Sequence, residues 1–182
     1  MNLTPGTPGF GLLAGTRSPR LAYRRLQAED SMAWRAFFND PESRKYWQGA
    51  PATPEASWQA LYGRNLERYR SGLGGMNALI CLKTGQLQGM CGITRQEVDG
   101  RMEWELGYAL FPEARGKGLA TEAALHCRDT ALQQGWATRL ISIIAVENTP
   151  SIQVARRLGM QLETQTIFKG NPVGVFCYHA KA

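Results

Sequence analysis

The segment that most restricts the fold is Pro112-Glu113-Ala114-Arg115-Gly116-Lys117-Gly118-Leu119-Ala120-Thr121, because the periodicity of the chain changes across it. Met102 to Phe111, just before it, reads as an extended strand. After it, Ala120, Ala124, Cys127 and Ala131 fall at i, i+4, i+7 and i+11, the small-residue face of a helix over 118–134 that can lie close on a sheet. Gly116 and Gly118 let the backbone turn tightly and present successive N–H groups. Together with the first turn of the helix, these amides form a site for a phosphate or pyrophosphate, and Arg115 and Lys117 add charge. The same residues also fit a plain strand-to-helix connection, and the motif alone does not decide between the two.

Spacing separates this segment from two better-known phosphate motifs. A Walker loop needs Lys followed by Ser or Thr after its second glycine, whereas Lys117 stands between the glycines. A dinucleotide fingerprint needs its glycines directly after the strand and a third glycine where Thr121 stands.

Charge is consistent with a compact phosphate ligand. The 21 Lys and Arg against 15 Asp and Glu give a net +6, which invites an anionic partner. Basic and acidic residues number seven and four in 1–50, five and four in 51–100, five and six in 101–150, and four and one in 151–182. No block is a basic arm and no basic face is interleaved with aromatics, so a nucleic-acid partner is not expected. No apolar run approaches the ~20 residues of a membrane-spanning helix, so a soluble globular chain is expected, with no membrane partner. Cys81, Cys91, Cys127 and Cys177 form no C-x-x-C pair, and His126 and His179 stand at no metal-ligand spacing, so no metal is expected. Buried free thiols in a reducing cytosol suit this usage, and the expected location is cytoplasmic.

Along the chain, residues 1–19 are rich in Gly and Pro and read as a flexible leader outside the fold, leaving 20–182 as one domain. A strand over 20–26, a helix over 27–40 and a loop over 44–53 follow. Thr53 caps a helix that begins at Pro54 and carries Trp58, Leu61, Tyr62, Asn65, Leu66 and Tyr69 at helical spacing. Hairpin strands at 78–83, 87–95 and 102–111 surround turns at Thr84-Gly85-Gln86 and Asp99-Gly100. Leu140 to Val146 is a central strand, Thr149 caps a short helix, and strands at 162–168 and 173–179 close the chain. The order predicts an α/β (α+β) domain with a mixed sheet flanked by helices.

Four stretches together resemble the GNAT-type N-acetyltransferase superfamily. They are Glu105-Leu106-Gly107-Tyr108-Ala109-Leu110, Arg115-Gly116-Lys117-Gly118-Leu119-Ala120-Thr121-Glu122-Ala123, Val146-Glu147-Asn148-Thr149-Pro150-Ser151-Ile152 and Arg157-Leu158-Gly159-Met160. The subgroup resembled is that of ribosomal-protein N-terminal acetyltransferases, and the opening Arg20-Leu21-Ala22-Tyr23-Arg24-Arg25-Leu26 is similar to its first strand. The resemblance implies a sheet splayed between the strands at 102–111 and 140–146, with acetyl-CoA in the gap. It implies that Arg115, Gly116, Lys117, Gly118, Leu119 and Ala120 hold the pyrophosphate, that Tyr108, Ala109 and Leu110 bind the pantetheine arm, and that Asn148 and Ser151 face the cofactor. A backbone N–H near Leu110 is the implied oxyanion donor.

The implied reaction moves an acetyl group from acetyl-CoA to a primary amine, a peptide N-terminus or a small molecule, by direct transfer in a ternary complex. A base must take the ammonium proton and an acid must protonate the thiolate. Glu103 and Glu105 share one strand face, and Glu105, nearest the family's active-site segment, is the candidate base; a solvated face or an ion pair is the alternative for both. Many family members carry a Tyr acid where this chain has Ala155, so Ser151 is the substitute candidate, with Tyr108 and Tyr178 open. A catalytically inactive acyl-CoA-sensing module shares the phosphate loop and is the alternative function. The acceptor amine and the oligomeric state, a homodimer included, are left open.

Overall fold

The structure is a computed structural model that describes residues 5–7, 9–47, 49 and 51–180. Its elements are β1 (Leu21–Arg25), α1 (Ser31–Asn39), α2 (Pro41–Arg44), α3 (Pro54–Ser71), β2 (Gly74–Cys81), β3 (Leu87–Val98), β4 (Arg101–Leu110), α4 (Leu119–Gln133), β5 (Arg139–Ala145), α5 (Thr149–Arg157), β6 (Gln161–Phe168) and β7 (Asn171–His179). Local signals set several boundaries. The Thr53 side chain accepts from the Ala56 amide to start α3, and Asp99 and Gly100 take positive φ to close the β3–β4 hairpin. Among the described residues no helix is long and apolar enough to cross a membrane.

The strands form one mixed sheet in the order β1-β2-β3-β4-β5-β7-β6. Each neighbouring pair from β1 to β4 is antiparallel, β5 lies parallel to β4, and β7 pairs antiparallel with both β5 and β6. The β4–β5 ladder holds a single register pair, Glu105 with Ile141, next to which the Ser142 hydroxyl donates to the Leu106 carbonyl at 2.7 Å. Past that point the two strands part while β4 stays paired with β3 as far as Leu110. This is the splay expected between 102–111 and 140–146.

Each face of the sheet is covered by helices. On one, Leu79, Cys91, Ile93, Trp104 and Leu106 pack on Ala123, Ala124, Cys127 and Ala131 of α4, whose small side chains allow the close approach. On the other, Met76, Ala78, Met90 and Phe111 meet Trp34, Phe37 and Phe38 of α1 and Trp58 and Leu61 of α3. Each fully buried large apolar side chain contributes roughly 1.5–3 kcal/mol. The strand alternation therefore sends Trp104, Leu106 and Tyr108 toward α4 and leaves Glu105 and Ala109 on the α3 side.

Three expectations need correction. The segment expected to stand outside the fold enters the core: Phe10 and Leu13 are buried, Phe10 against Trp104 and Trp136. The buried amide of Asn77 accepts from the Leu13 N–H at 3.0 Å, and the Gly9 and Gly15 amides donate to the Tyr69 and Tyr23 carbonyls. Two apolar residues among many glycines are enough, because the core on the α4 face of the sheet offers them partners. Residues 1–4 and 8 of that segment lie outside the described residues. The second correction is the cap of α5, which is Asn148 and not Thr149: its side-chain oxygen accepts from the Ser151 amide at 3.3 Å. The third is α2, formed within the expected helix-to-loop transition because Asp40 accepts from the Glu42 and Ser43 amides.

Candidate active site

Where β4 and β5 part, a cavity of about 260 Å³ opens through the sheet. Glu105 lines it from the α3 side, and Tyr108, Asn148 and Ser151 line it from the α4–α5 side. Residues of opposite parity on one strand can meet in one cavity only because the neighbouring strand is missing there. Trp47 forms part of the wall while packing edge-on against Phe37 and Phe38, and the Tyr46 hydroxyl donates to the Glu147 carbonyl, joining the α2–α3 connection to the turn before α5.

The two carboxylates that sequence places on one face have different surroundings. Glu103 is held by the Arg139 guanidinium at 3.2 Å, and Glu163 shares the same guanidinium. Glu105 makes no hydrogen bond or ion pair among the described residues. Burial raises its pKa above the ordinary 4.5, and the charges of Arg68 and Lys169 offset this only in part. A carboxylate that is desolvated yet faces a cavity is poised to take a proton.

Tyr108 and Ser151 are brought together. The Tyr108 hydroxyl donates to the Ser151 carbonyl at 3.0 Å, and burial raises its pKa despite the neighbouring Ser151 side chain. The Ser151 hydroxyl lies beside that of Tyr108 and lines the cavity. Tyr178 instead lies under the Arg128 guanidinium and does not line the cavity. Ala109 packs in the α1–α3 cluster and Leu110 in the α4 core, so only their backbone groups remain for a ligand in the gap.

The glycine loop leads into α4 with Gly116 at φ 73 and Gly118 at φ 76, the left-handed region that favours glycine. A Cβ at Gly116 would meet nothing within 4 Å, so its backbone is open to an incoming group. Among the described residues the amides of 116 to 121 donate to no protein acceptor, whereas the Arg115 and Glu122 amides are paired. A row of unpaired N–H groups at a helix N-terminus suits a pyrophosphate. Gly116 and Gly118 line a hollow of about 760 Å³ with Ser18, Glu122 and Arg157. Leu119 is buried and offers only its amide, while Ala120 is half-buried. The Arg115 guanidinium donates to the Leu110 carbonyl and the Ser43 hydroxyl. Lys117 is exposed and carries the loop's free charge.

Sequence reasoning missed the brace of this loop. Arg20 donates to the Lys117 carbonyl at 2.8 Å and is itself held by Glu122 on α4. Burial would raise the Glu122 pKa, but hydrogen bonds from Ser18 and Arg20 hold it below the ordinary value. No local signal links residues 102 positions apart. Elsewhere, Glu163, Cys177 and His179 bring metal-ligating side chains within 4.8 Å of one another, but the Arg139 guanidinium lies among them and bonds to all three.

The sequence matches the acetyltransferase (GNAT) domain over residues 20–161. The chain belongs to the GNAT acetyltransferase family. It is 31% identical to the uncharacterized protein YkkB of Bacillus subtilis over 143 residues, 76% of this chain and 80% of that protein. An acetyltransferase from Agrobacterium tumefaciens superposes with a TM-score of 0.77 at 27% identity, covering 90% of this chain and 93% of that one. The fold is also that of a ribosomal L7/L12 alpha-N-protein acetyltransferase solved with coenzyme A, at a TM-score of 0.70 and 18% identity over 90% of this chain and 96% of that one. Within the GNAT family the cavity at the β4–β5 splay and the amide row before α4 are this chain's candidate acyl-transfer site.

Proposed function

We propose that the protein is a cytoplasmic N-acetyltransferase that moves the acetyl group of acetyl-CoA to a primary amine by direct transfer in a ternary complex. The observation that carries this reading is the unpartnered Glu105 carboxylate facing the cavity where β4 leaves β5. The amide row of 116 to 121 and Lys117 would bind the pyrophosphate, and the unpaired edge of β4 over 107–110 would bind the pantetheine arm. Membership of the acetyltransferase family supports the cofactor, as does the ribosomal L7/L12 acetyltransferase of this fold solved with coenzyme A.

Glu105 takes the ammonium proton, directly or through one water, and frees the nitrogen lone pair. The nitrogen bonds to the thioester carbonyl carbon, and a β4 amide facing the gap stabilises the oxyanion. The C–S bond then breaks, the nitrogen passes its second proton to solvent water, and the thiolate takes one from the Ser151 hydroxyl, which solvent replenishes. The products are the acetylated amine and the free thiol of CoA.

Following thiol release from acetyl-CoA with a panel of amines, and the mass of the product, tests this. Turnover with at least one amine is expected. Clear stabilisation by CoA with no turnover of any amine would replace the reading with an acyl-CoA-sensing module. Gly118→Glu should abolish CoA binding, since the new carboxylate would stand among the amides that receive the pyrophosphate; unchanged affinity would refute the loop assignment.

A further inference from the structure

The α3 side of the cavity carries an excess of positive charge that nothing in the proposed reaction uses. Arg64 and Arg68 stand one turn apart on α3, and Lys169 reaches the same wall from the β6–β7 turn. Among the described residues the only acidic one in that lining is Glu105. None of the three cations makes an ion pair or hydrogen bond among the described residues. The nearest acid on their helix, Glu67, pairs instead with Arg70.

Such a cluster is unfavourable in itself. Like charges at i and i+4 on a helix repel, and Lys169 adds a third cation to the pair. Burial and the charges of Arg64 and Arg68 lower the Lys169 pKa, and burial lowers that of Arg68 while Glu105 opposes the effect. Glu105 alone cannot neutralise three cations.

The cofactor's pyrophosphate does not neutralise them either. Glu105 lies five residues before Leu110 on β4, about 17 Å along an extended strand, and the amide row begins beyond that end. The thioester end of an acyl donor in the gap would point toward Glu105, and the cations lie on the side where the acceptor must enter. Thr94 and Gln96 of β3 line this wall with neutral polar groups.

We propose that Arg64, Arg68 and Lys169 form an anion-recognition subsite for the acceptor, so that the amine acetylated by this protein also carries a negatively charged group, a carboxylate or a phosphate, near its nitrogen. The proposal rests on the N-acetyltransferase reading and specifies its substrate class. One cation pairs with the acceptor's anion while Glu105 takes the ammonium proton, so the two opposite charges of the acceptor meet opposite charges of the cavity. A polyamine brings only positive charge to three cations and is disfavoured.

Matched amines test the idea. L-Phenylalanine against its amide reads the carboxylate, glucosamine 6-phosphate against glucosamine reads the phosphate, and spermidine supplies a purely cationic acceptor. At least one anionic member should exceed its neutral partner 10-fold or more in kcat/KM, with spermidine poorest. In the Arg64→Ser, Lys169→Ser double variant that ratio should fall toward one, mainly through KM. Neutral or cationic amines that match or exceed both anionic ones would overturn the proposal. Calorimetry of the same amines with the CoA-saturated protein separates the two readings. If no amine is acetylated, the transferase reading falls, and selective binding of an anionic amine, lost in the double variant, still upholds the subsite. No selectivity in binding rejects it.

Discussion

Tyr108 of β4 donates its hydroxyl hydrogen bond to the Ser151 carbonyl of α5 at 3.0 Å, across the gap that β5 leaves. The contact fixes the α5 wall of the cavity and occupies the Tyr108 proton, while burial raises the phenol pKa and keeps it protonated through neutral pH. The Ser151 hydroxyl lies beside the Tyr108 hydroxyl and lines the cavity.

Ser151→Ala should therefore lower kcat by about 10- to 100-fold, at or below the low end of acid catalysis because a thiolate leaves readily. The KM for acetyl-CoA should stay within about 3-fold, as the Asn148 cap binds the Ser151 amide and not its side chain. Steady-state kinetics in both substrates check this. An unchanged kcat would hand the proton transfer to Tyr108 or water.

Glu105→Gln should reduce kcat by about 10²- to 10⁴-fold and remove the acidic limb of the rate profile. With burial raising the Glu105 pKa, that limb should lie above the ordinary 4.5 in the parent protein. The same shift has a stability consequence of definite sign. A carboxyl whose folded pKa exceeds its unfolded value binds protons better in the fold, so stability falls as pH rises through that window. Glu105→Gln should thus raise the melting temperature at neutral pH and lose that gain below about pH 4.5. Melting curves against pH check it, and a destabilised Gln variant at pH 7 would contradict the desolvation account.

What could be read from sequence was local or periodic. Gly116 and Gly118 sit within three residues of a helix start, so their turn and amide row follow from spacing alone. The Thr53-Pro54 start of α3 is equally self-contained. The family resemblance favours Glu105 over Glu103, but the physical difference between them comes from Arg139, which pairs with Glu103 only after β5 is laid beside β4. Arg64 and Arg68 look like an ordinary solvated helix face until Lys169 arrives from the last hairpin. Thr149 and Asn148 are both good caps, and which one serves depends on the backbone leaving β5.

Arg20→Ala should weaken CoA binding about 5-fold, the equivalent of roughly 1 kcal/mol lost from ordering the loop. Arg20 is half-exposed, and such ion pairs add about 0–1 kcal/mol to stability, so the melting temperature should barely move. Titration of CoA, with thermal melts of the same samples, separates the two effects. Glu122→Gln should follow Arg20→Ala in sign because it frees the same guanidinium from α4.

The N-terminal segment supplies the last test. Leu13 is fully buried and its amide is the donor to Asn77, so the stretch 9–19 is a structural part of the sheet's packing and not an appendage. Leu13→Ala should cost about 2–5 kcal/mol, the range for a buried leucine leaving a cavity. Asn77→Ala should cost about 1–3 kcal/mol, because it strands the buried Leu13 amide. At about 2–4 °C per kcal/mol for a chain of this size, both shifts are measurable by thermal melting. The kinetic constants of the folded fraction should stay near those of the parent, since neither residue lines the cavity at the β4–β5 splay. A Leu13→Ala protein that melts with the parent would return this segment to the status of a leader.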